Sequence, residues 1–194
     1  MNFRIRLALT EICDLERPRQ VTVGYLEKQS IDITKVAGFY GSPTVVPITL
    51  LPNNRFDLPD HGAEAVEGVV IEAHNEDGET VVDLVAWLVA DPFDVRTLLG
   101  RVSMVGLWAA LNPGTYIFNY PLVMHRSPLA WLRANCEGAA VVIPKLAART
   151  FLEITDMGGR LGAQDAAHAC ELQKMLLALV GQVEIVIPKM RAAA

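Results

Sequence analysis

The chain has 194 residues, 52% of them hydrophobic and 20% charged, with a net charge of −5. That length buries a core without disulfide or metal staples, and the composition excludes a disordered chain. The charge is unevenly placed. Between Phe56 and Val95 lie 11 Asp or Glu and no Lys or Arg, so the flanks carry all 17 bases. Such a block repels nucleic-acid phosphates, and direct nucleic-acid binding through 56–95 is not expected. It suits a basic protein partner, a divalent metal or self-association, with a plainly solvated face as the alternative.

Phe3, Ile5, Leu7 and Leu9 alternate with Arg4, Arg6 and Ala8, which predicts a strand with one basic face. Glu11–Gln20 reads as a loop or one helical turn. Val21–Leu26 and Ile31–Val36 read as two further strands with a turn at Lys28-Gln29-Ser30. Thr44–Leu51 is a fourth, and its Pro47 favours an edge. Pro52–Gly62 is loop-like and divides a sheet over 1–51 from a hairpin and α/β part over 63–190, all within one domain spanning 1–194.

The hairpin organises the chain. Val66–His74 and Thr80–Ala90 are rich in β-branched residues and flank Asp77-Gly78, the strongest short turn signal. A two-residue turn pairs Glu72 with Asp83 and Ile71 with Leu84. A type I turn with a glycine bulge over Asn75–Gly78 puts Ile71 opposite Asp83 instead. Because a slip of one residue swaps faces, the first alignment is preferred: it gathers Val69, Ile71, Ala73, Val82, Leu84 and Ala86 on one face. The other face then holds Glu72, His74 and Asp83, with two acids opposed.

After the hairpin, Asp91-Pro92 predicts a helix start, and Val95, Leu98, Leu99, Val102, Val105 and Ala109 share a helical face, weakened by Gly100 and Gly106. Thr115–Met124 reads as a strand interrupted by Pro121. Ser127-Pro128 opens a compact helix, Leu129–Cys136, closed by Gly138. Ala139–Ile143 reads as a short strand, Lys145–Thr155 is ambiguous between helix and strand, and Ala163–Gly181 is a helix. Val183–Ile187 reads as a final strand. The expected class is α+β: a β-rich N-terminal half with a central β-hairpin, then mixed helices and strands.

Cys13, Cys136 and Cys170 have no paired spacing, which points to a reducing compartment. Met1–Arg6 carries charges where a secretory signal needs an apolar core. The uncharged run Val102–Met124 is broken by Asn112-Pro113-Gly114 and Asn119-Tyr120-Pro121, so it reads as core rather than a membrane span. The expected location is the cytoplasm.

Glu72, His74 and Asp83 are the sharpest site candidates. Two carboxylates and an imidazole on one rigid sheet face suit Mg²⁺, Mn²⁺ or Zn²⁺, or a general acid and base. An exposed, solvated sheet face is the simpler reading. Gly158-Gly159-Arg160-Leu161-Gly162 before a helix suggests a phosphate loop, but its spacing fits neither glycine fingerprint, and Asp165 would repel phosphate. His168 and Asp165 share a helix face, without zinc-type spacing. His125-Arg126-Ser127 lies at a strand-to-helix loop, with Ser127 better explained as an N-cap than a nucleophile. Cys136, near a helix C-terminus, is a poor nucleophile. Trp87, Trp108 and Trp131 fall in apolar patterns and are expected in the core.

Asp83-Leu84-Val85-Ala86-Trp87, Pro128–Gly138 and Ala163–Ala169 together resemble uncharacterised bacterial proteins from phage-like or mobile-element neighbourhoods, over about Asp83–Lys174. That resemblance implies no activity and no catalytic residues, only a role connected with mobile elements. The leading functional expectation is a non-enzymatic cytoplasmic accessory or binding protein without a cofactor. It is expected to self-associate through a long apolar β edge. The alternatives are a metal-dependent hydrolase or nuclease using Glu72, His74 and Asp83, and an acidic nucleic-acid mimic that occupies a basic protein.

Overall fold

A computed structural model describes residues 1–14, 18–36, 43–59 and 64–180. The predicted strand over 183–187 lies outside them. The fold is α+β. Three helices come first, α1 (Phe3–Asp14), α2 (Pro18–Lys28) and α3 (Ile33–Val36). Five strands then close a barrel: β1 (Thr44–Leu51), β2 (Arg55–Asp57), β3 (Val66–His74), β4 (Val81–Leu88) and β5 (Val95–Thr97), in the order β1-β2-β5-β4-β3.

The strands predicted before residue 37 are helices. In α1 the buried residues are Ile5, Ala8 and Ile12, spaced three and four apart, while Phe3 and Leu7 are exposed. In α2 it is Thr22, Tyr25 and Leu26 that are buried, and Val21 and Val23 that face water. The exposed apolar residues produced the misleading alternation. Asn2 caps α1, its Oδ1 accepting from the Arg4 N–H at 2.9 Å. Thr44–Leu51 is a strand as expected. Pro47 pairs with Glu67 of β3, while β2 joins β1 only from Thr49 onward, so the missing proline N–H disrupts no ladder.

The hairpin forms, with a third register along most of its length. Ile71 faces Val85, Glu72 faces Leu84 and Ala73 faces Asp83. His74 opposite Val81 alone keeps the alignment expected from a two-residue turn, and a bulge between these pairs absorbs Val82. The Gly78 N–H donates to the Asn75 carbonyl at 3.0 Å, and Gly78 has φ 72°, which glycine adopts without strain. The apolar pattern failed to fix the register because both faces of these strands are buried. Val46, Ile48, Phe56, Val70, Leu84 and Ala86 pack together on one face with Leu98 and with Ile5, Ala8 and Ile12 of α1. Val45, Val69, Ile71, Ala73, Val85 and Trp87 pack on the other face, against α2 and the C-terminal half. A doubly buried strand lacks the polar face that penalises slippage.

β5 replaces the first part of the helix predicted over 95–109. Gly100 and Gly106 have φ of 71° and 75°, a conformation that ends helices. Asp91 does not cap a helix; its Oδ1 accepts from the Phe93 N–H in a local turn. A second sheet follows, ordered β6-β8-β7-β9, from β6 (Met104–Val105), β7 (Leu122–His125), β8 (Ala139–Val141) and β9 (Leu161–Gly162). β7 runs parallel to β8 and β9, and β6 is antiparallel to β8. α4 (Leu107–Leu111) and a 3-10 turn (Pro113–Tyr116) precede β7, so the strand expected over 115–124 starts only at Leu122.

α5 (Pro128–Arg133) starts as read from the sequence, with Ser127 Oγ accepting from the Ala130 N–H at 3.2 Å. α6 (Pro144–Asp156) resolves the ambiguous segment as helix, burying Ala147, Ala148, Phe151 and Ile154. α7 (Ala166–Val180) packs on α6. Trp87 and Trp131 are fully buried, and each indole N–H has a partner at 3.1 Å, Tyr25 Oη and the Gly138 carbonyl. Trp108 is half-buried. No helix among the described residues is long and apolar enough to cross a membrane.

Candidate functional site

The bulge in β4 decides where the three predicted site residues go. Alternation along β3 puts Glu72 and His74 on one face, while Asp83, opposite Ala73, lies on the other. Glu72 Oε2 and His74 Nε2 are 3.3 Å apart. Asp83 is fully buried and does not join them. Its Oδ1 accepts from the Leu84 N–H at 2.9 Å and the Leu99 N–H at 2.7 Å, and its Oδ2 accepts from the Arg101 N–H at 2.7 Å. The carboxylate thus ties β4 to the chain leaving β5. Among the described residues, no group of three His, Cys, Asp or Glu is arranged to hold a metal ion.

The other sequence candidates are also engaged in the fold. Arg126 bridges Asp165 at 2.7 Å and Glu171 at 3.0 Å, joining the end of β7 to the start of α7. The Arg126 guanidinium is held above its usual range by these two carboxylates, Asp165 foremost. Asp165 is held below the usual carboxylate range, chiefly by the His168 backbone N–H and then by Arg126. His168 is buried, and desolvation lowers its pKa, with Arg126 adding to the effect. His168 Nδ1 accepts from the Gln164 N–H at 3.3 Å, and His125 Nε2 sits 2.9 Å from the Glu137 carbonyl. These groups fasten the strand-to-helix loops. Gly158–Gly162 forms the turn after α6 and then β9, not a helix-opening loop. Burial pushes the Cys136 thiol up to about 12.

What remains is an open cleft of about 450 Å³ where α1, the hairpin, the chain after β5 and α6 converge. Its polar side chains include Arg101, Arg149, Asn2, Asn75, Ser103 and Thr150. Val81, Val82, Val102, Leu107 and Leu146 supply apolar wall. Ser103 and Thr150 are buried, and the Thr150 hydroxyl donates to Ser103 Oγ at 3.1 Å, fixing α6 against the segment that carries Arg101. Arg101 and Arg149 are both exposed. Neither guanidinium makes an ion pair with an acid among the described residues. Asn2 places the start of α1 at the rim, and the positive end of that helix dipole adds to the same field. Two arginines thus line one cleft on a protein whose net charge is −5, with the acidic turn Glu76, Asp77 and Glu79 between the lining residues Asn75 and Thr80.

A second cleft of about 330 Å³ lies between Asn53–Arg55 and Val142–Pro144. Its arginine is engaged: Arg55 donates to the Thr97 carbonyl at 3.0 Å and to the Leu98 carbonyl. That leaves the first cleft as the better ligand site.

Sequence reasoning missed Arg101 and Arg149. They stand 48 positions apart on segments with no motif, and only the fold brings them to one cleft. The chain matches no protein-family model, and comparison with curated proteins and solved structures likewise gives no match.

Proposed function

We propose that this is a non-enzymatic binding protein that holds a small anion in the cleft between the barrel and α6. The observation that carries this reading is the pair of guanidiniums, Arg101 and Arg149, which line one cleft without an acidic partner among the described residues. Guanidinium forks bind carboxylate and phosphate oxygens through paired N–H bonds. The cleft volume falls in the roughly 300–1,000 Å³ range of small-molecule pockets. Beside the arginines, the described residues that line the cleft offer amides and hydroxyls, and among them there is neither a thiol, an imidazole nor a carboxylate to serve as a general base.

The hydrolase alternative draws no support from Asp83, whose two oxygens are occupied by backbone N–H groups. β3 is paired on both sides by β1 and β4, so it offers no free edge for self-association. A thermal-shift screen tests the binding reading. A ligand at a hundred times its Kd stabilises by about 2.7 kcal/mol, or roughly 5–10 °C for a chain of this size. Small organic anions raise the melting temperature and their neutral amide or ester analogues leave it unchanged. A panel in which neutral analogues stabilise equally well refutes the reading.

A further inference from the structure

We infer that the anion is a phosphate monoester carrying an apolar organic body. This deepens the anion-binding reading and rests on it.

The charge of the cleft's arginines favours a doubly charged head group. Arg101 and Arg149 bring two full positive charges to one cleft, on separate elements, with no acid among the described residues paired to either. A phosphate monoester carries about −1.5 to −2 at neutral pH on three strong acceptor oxygens, so one head group can engage both forks. A monocarboxylate has one charge and two oxygens, and engaging one fork leaves the other in water. The shape of the cleft favours an organic body. Arg101 and Arg149 line part of a space of about 450 Å³, and the rest of the wall includes Val81, Val82, Val102, Leu107 and Leu146. Inorganic phosphate leaves that wall wetted, whereas an aryl or alkyl ester covers it and gains from its burial. Thr80, Asn75 and Asn2 line the same cleft. The Thr80 hydroxyl already donates to Asp77 Oδ2 at 2.7 Å, which leaves the Asn2 and Asn75 amides as the uncharged groups for an ester oxygen.

Isothermal titration calorimetry tests this with phenyl phosphate, inorganic phosphate, benzoate and phthalate as probes. Phenyl phosphate is expected to bind at least about tenfold more tightly than benzoate or inorganic phosphate, since a charge-assisted pair or a buried ring is worth about that factor, and more tightly than phthalate, whose two charges sit on separate carboxylates. Arg101→Gln and Arg149→Gln are each expected to weaken it about tenfold. Both arginines are exposed, so these variants fold, and their unliganded melting temperatures serve as the check.

Phthalate or benzoate binding as tightly as phenyl phosphate overturns the phosphate inference and leaves the anion-binding reading standing. Inorganic phosphate binding as tightly as its phenyl ester overturns the apolar body. Folded arginine variants that bind phenyl phosphate like the wild type overturn the assignment to this cleft. No heat with any of the four anions overturns the inference and counts against the reading beneath it.

Discussion

Replacing Asp83 with Ala tests the structural logic that places Arg101. Asp83 is fully buried and accepts three backbone N–H bonds, at 2.9, 2.7 and 2.7 Å. The bond to Leu84 is to the next residue in sequence. The bonds to Leu99 and Arg101 cross 16 and 18 positions and hold the exit from the barrel in place. Hydrogen bonds to charged groups contribute about 1.5–3 kcal/mol each, so losing these two costs at most about 3–6 kcal/mol. Leu99 is only half-buried and Arg101 is exposed, so water reaches part of what is released. A loss of about 3 kcal/mol is expected, which is roughly 6–12 °C in melting temperature at this chain length. Asp83→Asn should cost about half as much, because its amide oxygen still accepts from Leu84 and Leu99 while its NH₂ faces the Arg101 N–H. The assay is thermal and urea unfolding of both variants, followed by far-ultraviolet circular dichroism. An Asp83→Ala protein as stable as the wild type, or more stable, refutes the argument. That outcome would be expected if Asp83 opposed Glu72 and the two acids repelled each other.

Gly138 has φ 78°, and a Cβ there would sit 2.2 Å from the Val123 carbonyl oxygen, so Gly138→Ala is expected to cost more than about 3 kcal/mol, measured by urea unfolding. In the folded protein at pH 8 a disulfide-exchange reagent should label exposed Cys13 and Cys170 quickly and Cys136 only on unfolding; rapid labelling of all three would contradict the packing around α5. His168 has a lowered pKa, so the unfolded chain binds its proton more readily than the folded one. Its contribution to stability is therefore full above about pH 6.5 and declines as pH falls toward the folded pKa, with a slope of at most about 1.4 kcal/mol per pH unit. His168→Gln should flatten that part of the profile, as read from unfolding midpoints between pH 5 and 8.

The parts of the fold legible in the sequence are those where local chemistry decides. Ser127-Pro128 sets the start of α5 because capping and proline geometry act over four residues, and Asp77-Gly78 marks the hairpin because glycine takes positive φ. The register was not legible, since a barrel strand packed on both faces carries no polar side to align. α1 was not legible because Phe3 and Leu7 are apolar yet exposed, and they mask the spacing of Ile5, Ala8 and Ile12. The expected helix over 95–109 failed at Gly100 and Gly106, where the chain turns between sheets. Glu72 and His74 do lie together, as the sequence suggested, but the bulge at Val82 sends Asp83 to the other face. The cleft itself left no trace in the sequence. Its arginines come from the chain beyond β5 and from the exposed side of α6, and an arginine without an acid partner looks the same in sequence as one with a partner.

The central claim is that Arg101 and Arg149 together hold an anion, and the most direct test is the anomalous scattering of a crystal soaked in 4-iodophenyl phosphate. An iodine peak is expected against the Val82 and Leu146 wall, with phosphate density between the two guanidiniums. Iodine peaks elsewhere on the protein, with the Arg101 and Arg149 cleft holding only water, would contradict it.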